Sequence, residues 1–353
     1  MKIMNNRPRL SVLALCLMTV LVPFPTTAQQ QSGAGLFDSA QPLVVVINAP
    51  WRKLIRKKDD TQWPATLDMT GPDGVSRSIK LTVERRGISR QRVCDFPPIR
   101  LRFDKESVEG TIFQGEGALK LVTHCDDGEK WTQYYVLEML AYEIYNLITD
   151  YSFRVRRMNV KYNDVDRTDK PEPHFAFVIE DVDELADRHD LDELDLPFVR
   201  PNRLDSTTAS QLGLFELMIG NLDWSAIKGP DQSCCHNVKL IGKGPDIVPV
   251  IPVPYDFDSA GFVDAHYAQA PDGLGVRSVT TRLYRGYCAS TDTMPTVRRQ
   301  ILDLEPRILG IIREEPRLND RSRRQATDFL SEYFDILRDD KAFAENVTEK
   351  CRG

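Results

Sequence analysis

At Lys130 the hydrophobic period of this chain changes, and that change limits the folds open to it. Upstream, short β-branched or alternating runs at 43–47, 65–70, 78–84 and 99–103 are separated by turn residues such as Gly71-Pro72-Asp73-Gly74. That is the pattern of antiparallel hairpins. Downstream, Tyr134, Leu137, Leu140, Ala141, Ile144, Tyr145 and Ile148 recur at helical spacing, so residues 131–148 are expected to form one amphipathic helix packed on the preceding sheet. Strands are expected again at 154–162 and 174–179, on either side of a polar turn. The acidic stretch 180–195 reads as a solvated helix face. Asp205-Ser206 caps a further helix that ends at Gly220, and short proline-bearing runs at 237–241 and 247–255 suggest a hairpin. From Thr293 the pattern is mostly helical. The expected organisation is a β-rich half over 42–180 and a mostly helical half over 181–353.

The first residues carry Lys2, Arg7 and Arg9, then an apolar run over 10–22, then prolines and Thr26-Thr27-Ala28. This charged, apolar, small-residue order is that of a cleavable export signal over 1–28, followed by a flexible Gln, Ser and Gly-rich segment over 29–41. The apolar core is too short for a membrane span, and no longer one follows, so a secreted or periplasmic protein with no stable membrane span is expected. Without those three basic residues the formal charge moves from -6 to -9, which argues against a general nucleic-acid partner. Loss of Cys16 with the leader would leave Cys94, Cys125, Cys234, Cys235, Cys288 and Cys351. An even number in an oxidising compartment reads as up to three disulfides, with Cys94 and Cys125 the expected first pair. Zinc is the competing reading at His124-Cys125 and Cys234-Cys235-His236, although no Cys-x-x-Cys spacing supports it.

The stretch with most chemistry runs from Gly220-Asn221-Leu222-Asp223-Trp224 through His236-Asn237 to Tyr255-Asp256-Phe257-Asp258. An Asp at a helix end, an Asn opening a hairpin and an Asp at its exit can converge, because a hairpin returns its ends to one place. Two carboxylates and an amide at one point suit phosphoryl transfer: one carboxylate receives the acceptor proton, while the others hold Mg²⁺ against nucleotide phosphates. The same residue types also occur at caps and turns for local reasons.

Beyond these positions the chain resembles the CotH-like (spore coat protein H) kinases over residues 80–265. The resemblance is carried by Arg86-Gly87-Ile88-Ser89, Phe96-Pro97-Pro98-Ile99-Arg100-Leu101-Arg102-Phe103, Leu140-Ala141-Tyr142-Glu143 and Arg154-Val155-Arg156. Tyr255-Asp256-Phe257 also resembles the metal site of HipA-like kinases. The resemblance implies an α+β, atypical protein-kinase-like two-lobe fold, with a β-rich N-lobe bearing one long helix and a mostly helical C-lobe. It implies Asp223 as the catalytic Asp, Asn237 as a metal ligand and Asp256 as the second metal ligand, with Asp258 as its rival. Arg100 or Arg102 would bind phosphate with Glu143 as helix partner. ATP and Mg²⁺ would be the cofactors, and a protein or small hydroxyl-bearing molecule the acceptor. A non-catalytic relative of the same fold and a nucleotidyl (AMP) transferase are the alternatives. The chain departs from ordinary kinases in having Lys228 five residues after Asp223, with Asn237 fourteen residues on, and in lacking a glycine-rich loop.

Overall fold

Of the seven strands between Leu43 and Ile179 most alternate buried and more open positions, and in the computed structural model the seven close on themselves. The structure describes Met1 and residues 35–353, apart from 72, 88, 89, 169 and 230–233. The export signal over 1–28 apart from Met1, the first six residues of the 29–41 segment, and Pro72, Ile88 and Ser89 of the motifs above lie outside the described residues. Strands β1 (Leu43–Ala49), β2 (Trp63–Thr70), β3 (Ser76–Arg85), β4 (Ile99–Phe103) and β5 (Ala118–Val122) pair antiparallel in sequence order. β5 then pairs with β7 (His174–Ile179), β7 with β6 (Val155–Asp164), and β6 returns parallel to β1 through seven residue pairs, Leu43 opposite Met158 to Ala49 opposite Asp164.

This closure overturns the expectation of an α+β, kinase-like two-lobe fold: the strand region is a closed mixed barrel within a mixed α/β chain. Its interior is filled by its own side chains, among them Ile47, Leu67, Ile79, Leu101, Leu119, Met158 and Val178. The period-two pattern reveals which face of each strand is apolar. It does not reveal that the first and sixth strands will meet, because that pairing joins segments more than a hundred residues apart.

β7 is buried on both faces, Ala176 and Val178 toward the barrel and Phe175, Phe177 and Ile179 toward helices. That double burial explains its near-continuous apolar run. A short helix α1 (Trp51–Arg56) follows β1, and the one-turn α2 (Arg90–Val93) lies between β3 and β4. The long helix is α3 (Glu129–Ile148), close to the expected 131–148, but it is enclosed on most sides instead of amphipathic. It packs on β6 and β7, on α5 (Ser206–Ile219) and on α6 (Met294–Glu314). The acidic stretch makes only the short α4 (Val182–Asp187) and the two-residue strand β8 (Asp192–Glu193), which joins β9 (Val238–Gly242) and β10 (Ile251–Pro254) in a small sheet. Glu180 is not solvated: it is buried between Arg154 and Arg188. Two final helices, α7 (Asp320–Arg338) and α8 (Asp340–Asn346), complete the helical part.

Residues Ala34–Gly353 form one compact unit. Three disulfides join Cys94 to Cys125, Cys234 to Cys235 and Cys288 to Cys351. The first is the pair anticipated from sequence, and with every one of these cysteines bonded the thiolate-zinc reading is withdrawn. Among the described residues, no helix is long and apolar enough to cross a membrane.

Candidate functional site

α5 starts on a side-chain cap, Asp205 accepting from Thr208 N at 2.8 Å, and stops at Gly220, whose φ of 62° is left-handed and so suits a residue without Cβ. Immediately beyond, the Asn221 side-chain oxygen accepts from Asp223 N at 2.9 Å, a local turn that presents the Asp223 carboxylate. Leu222 and Trp224 on either side are buried, Trp224 edge-on to Tyr287, and anchor that turn.

The β9–β10 hairpin brings the next residues to the same place. Val238 pairs with Pro254, so Asn237 and Tyr255 stand together just outside the ladder, and Tyr255 N donates to Asn237 O at 3.0 Å. The Asn237 amide donates to Asp223 O at 2.7 Å and to Asp223 Oδ2 at 3.3 Å. His236 Nε2 lies 2.7 Å from Asp223 Oδ1, and the hydrogen bond to that carboxylate raises the imidazole pKa. Asp223 itself stays 38% exposed at its side chain, open to a substrate.

Asp256 follows directly, its N–H donating to the Tyr142 hydroxyl of α3 at 2.9 Å. Asn237 and Asp256 both adopt left-handed backbone, with φ of 50° and 65°, a conformation uncommon outside glycine and held here by the surrounding bonds. The Asp256 carboxylate and the Asn237 side-chain oxygen accept no hydrogen bond from any described residue. Two uncommitted hard oxygens on adjoining backbone fit the donor preference of Mg²⁺. Burial, then Asp258, pushes the Asp256 carboxyl up, opposed by Arg86, Arg90 and Lys120.

Asp258, the rival for the metal role, is already engaged. Arg90 Nε reaches its Oδ2 at 2.9 Å and the Tyr267 hydroxyl lies 3.3 Å away, while the Arg90 Nη2 pairs with Glu138 of α3. All three charged groups are buried. Burial pushes the Glu138 carboxyl up to about 7 despite Arg90.

Arg100, Arg102 and Glu143 are not brought to this cluster. On β4 the arginines alternate with buried Ile99, Leu101 and Phe103, so they point away from the barrel interior, where both pair with Glu84. Glu143 pairs instead with Arg157 of β6, which also holds Glu315. The cations acting on Asp256 are Arg86, Arg90 and Lys120, of which Arg90 is already held by Asp258 and Glu138. Lys120 lies over the Tyr255 ring at 4.6 Å from its centroid. Burial, then Arg86 and Lys239, pushes its ammonium down to about 8. Burial also lowers the Arg86 guanidinium, whose Nε is shielded and has no hydrogen-bond partner among the described residues. Sequence reasoning missed β5, and Lys120 with it. The available signal was the alternation Leu119-Lys120-Leu121, one Lys between two buried leucines.

A cavity of about 380 Å³, lined by Tyr255, Lys239, Glu193 and the Cys234-Cys235 pair, adjoins the cluster. A larger one of about 670 Å³ between α3 and α7 is lined by neither these residues nor Asp223, Asn237 or Asp256. No protein-family model matches this chain, and no curated protein does either.

Proposed function

We propose that the chain is an exported, Mg²⁺-dependent phosphotransferase that moves the γ-phosphoryl group of ATP to a hydroxyl on a protein or small molecule. The observation that carries this reading is that Asn237 bonds Asp223 while its own backbone carbonyl accepts from Tyr255, the residue just before Asp256, with Arg86 and Lys120 among the cations acting on Asp256. In this reading Asp223, held in place by His236 and Asn237 and open to solvent, accepts the proton of the acceptor hydroxyl. Asn237 and Asp256 hold Mg²⁺, which neutralises charge on the transferring phosphate oxygens. Lys120 and Arg86, both of which act on Asp256, bind the phosphates through charge-assisted hydrogen bonds. The reading rests on these side chains and not on a kinase fold. Three disulfides support an oxidising compartment, the setting the leader implies.

The test is incubation of the mature protein with Mg²⁺ and ATP labelled at the γ or the α position, with a generic protein acceptor. Transfer of γ label, reduced roughly 10²–10⁴-fold in Asp223→Ala with the fold retained, is the expected result. Asp256→Ala should lose it as well. Transfer of α label would indicate nucleotidyl transfer. Nucleotide binding without transfer of either label would make this a non-catalytic binding protein, and transfer that survives both substitutions would remove the assignment.

A further inference from the structure

On a separate part of the barrel, two histidines and an aspartate come together where neither the phosphotransfer reading nor the disulfides use them. His124 follows β5 by two residues, Asp127 precedes the start of α3 by two, and His174 opens β7. One ligand atom from each lies within 4.8 Å of the other two. The imidazoles of His124 and His174 stack at 3.9 Å with their planes 17° apart. The loop between β5 and α3 is held in place by the Cys94–Cys125 disulfide and by Phe96 N donating to Cys125 O at 2.8 Å.

Part of this arrangement has an ordinary explanation. Both rings belong to an aromatic cluster, His124 at 4.6 Å from Phe96 and 5.3 Å from Tyr162, and packing alone accounts for the stack. Packing does not account for the polar atoms. His124 is only 8% exposed, and its Nδ1 is shielded from solvent with no hydrogen-bond partner among the described residues. An unpaired buried polar atom of this kind has lost its hydration without a replacement. A ligand that accepts nitrogen lone pairs would supply one.

We propose that His124, Asp127 and His174 form a binding site for a divalent zinc-class ion. Two imidazoles and one carboxylate are a donor set suited to zinc, while Mg²⁺ and Ca²⁺ prefer oxygen donors throughout. Metal–nitrogen distances of about 2.1 Å in a tetrahedron place ligand atoms roughly 3.4 Å apart. The observed spread of up to 4.8 Å therefore needs a movement on the order of 1 Å, and the two stacked rings must also turn about their side-chain bonds for both lone pairs to reach one ion. Three protein ligands leave a fourth position for water. The bound ion would tie the loop leading into α3 to the start of β7, clamping the same segment as the Cys94–Cys125 bridge. It is independent of the proposed nucleotide site.

The experiment is titration of chelator-stripped, oxidised protein with Zn²⁺ in the absence of nucleotide, followed by calorimetry and by melting temperature. One equivalent should bind, and the melting temperature should rise with Zn²⁺ concentration. Co²⁺ in place of Zn²⁺ should give visible d–d bands without thiolate charge-transfer absorption. Asp127→Asn, at an exposed position, and His174→Gln should each weaken binding by more than about tenfold. Asp127→Asn should leave the metal-free melting temperature unchanged, so that lost binding is not lost folding. Asp256→Ala should bind Zn²⁺ like the unsubstituted protein. No stoichiometric binding, equal binding by the Asp127 and His174 variants, or loss of binding in Asp256→Ala would overturn the proposal.

Discussion

Lys120 sits between Leu119 and Leu121 on a barrel strand, and its ammonium is held down to about 8, first by burial and then by Arg86 and Lys239. Because the folded value lies below that of the unfolded chain, the unfolded state binds the extra proton between about pH 8 and 10.4. Burying this lysine therefore opposes folding below pH 8, and the penalty fades as pH rises through that window. Lys120→Met is expected to melt higher than the unsubstituted protein at pH 7, with the gap closing by pH 10, while losing at least about tenfold in Mg-ATP affinity. Parallel melting curves over that pH range, with and without nucleotide, check it; an unchanged gap would refute the electrostatic account. The candidate Asp223, Asn237 and Asp256 were legible because hairpin ends meet, a consequence of local chain geometry. Lys120 was not, since its role depends on which strand neighbours β7, and nothing within five residues of it encodes that.

Among the elements, α2, α3 and the segment after β10 are joined by one buried charge network: Arg90 between Asp258 and Glu138, with the Tyr267 hydroxyl 3.1 Å from Arg90 Nε. Such a network contributes position more than net stability, because desolvation offsets most of its attraction, but removing one member leaves the rest buried and unpaired. Arg90→Ala is expected to destabilise by about 3–5 kcal/mol, and adding Glu138→Gln should recover part of that loss. Urea denaturation of the single and double variants measures both. A loss under about 1 kcal/mol would mean that water reaches the carboxylates. Element positions were largely readable: β4 falls where its alternation placed it, β7 where its apolar run did, and α3 and α5 within two residues. What went unread was the face each element would bury. Helical spacing at Tyr134, Leu137 and Ile144 marked an apolar stripe, whereas Gln133 and Glu138 on other sides of α3 are buried as well, satisfied by partners distant in sequence.

For the whole molecule the decisive event is the parallel pairing of β1 with β6, which leaves the strand set without an edge. Amide hydrogen exchange distinguishes this from an open sheet. Alternate β1 amides from Val44 to Asn48 should be protected toward both β2 and β6, as strongly as those of β3 at the centre of the hairpins. Exchange of one face of β1 within minutes would contradict closure. The amino-acid sequence by itself determined most of the barrel strands, though not β5, together with the long helix and α5, because each follows from periods, caps and turns acting over a few residues; it also pointed to the Cys94–Cys125 pair and to the meeting of Asp223 with Asn237 through the segments that flank them. Only the tertiary structure decided that the strands close into a barrel, that Asp258 is consumed by Arg90 while Asp256 stays open, and that His124, Asp127 and His174 meet. Those outcomes depend on pairings between distant segments, and long-range pairings are selected by the packing of the complete core.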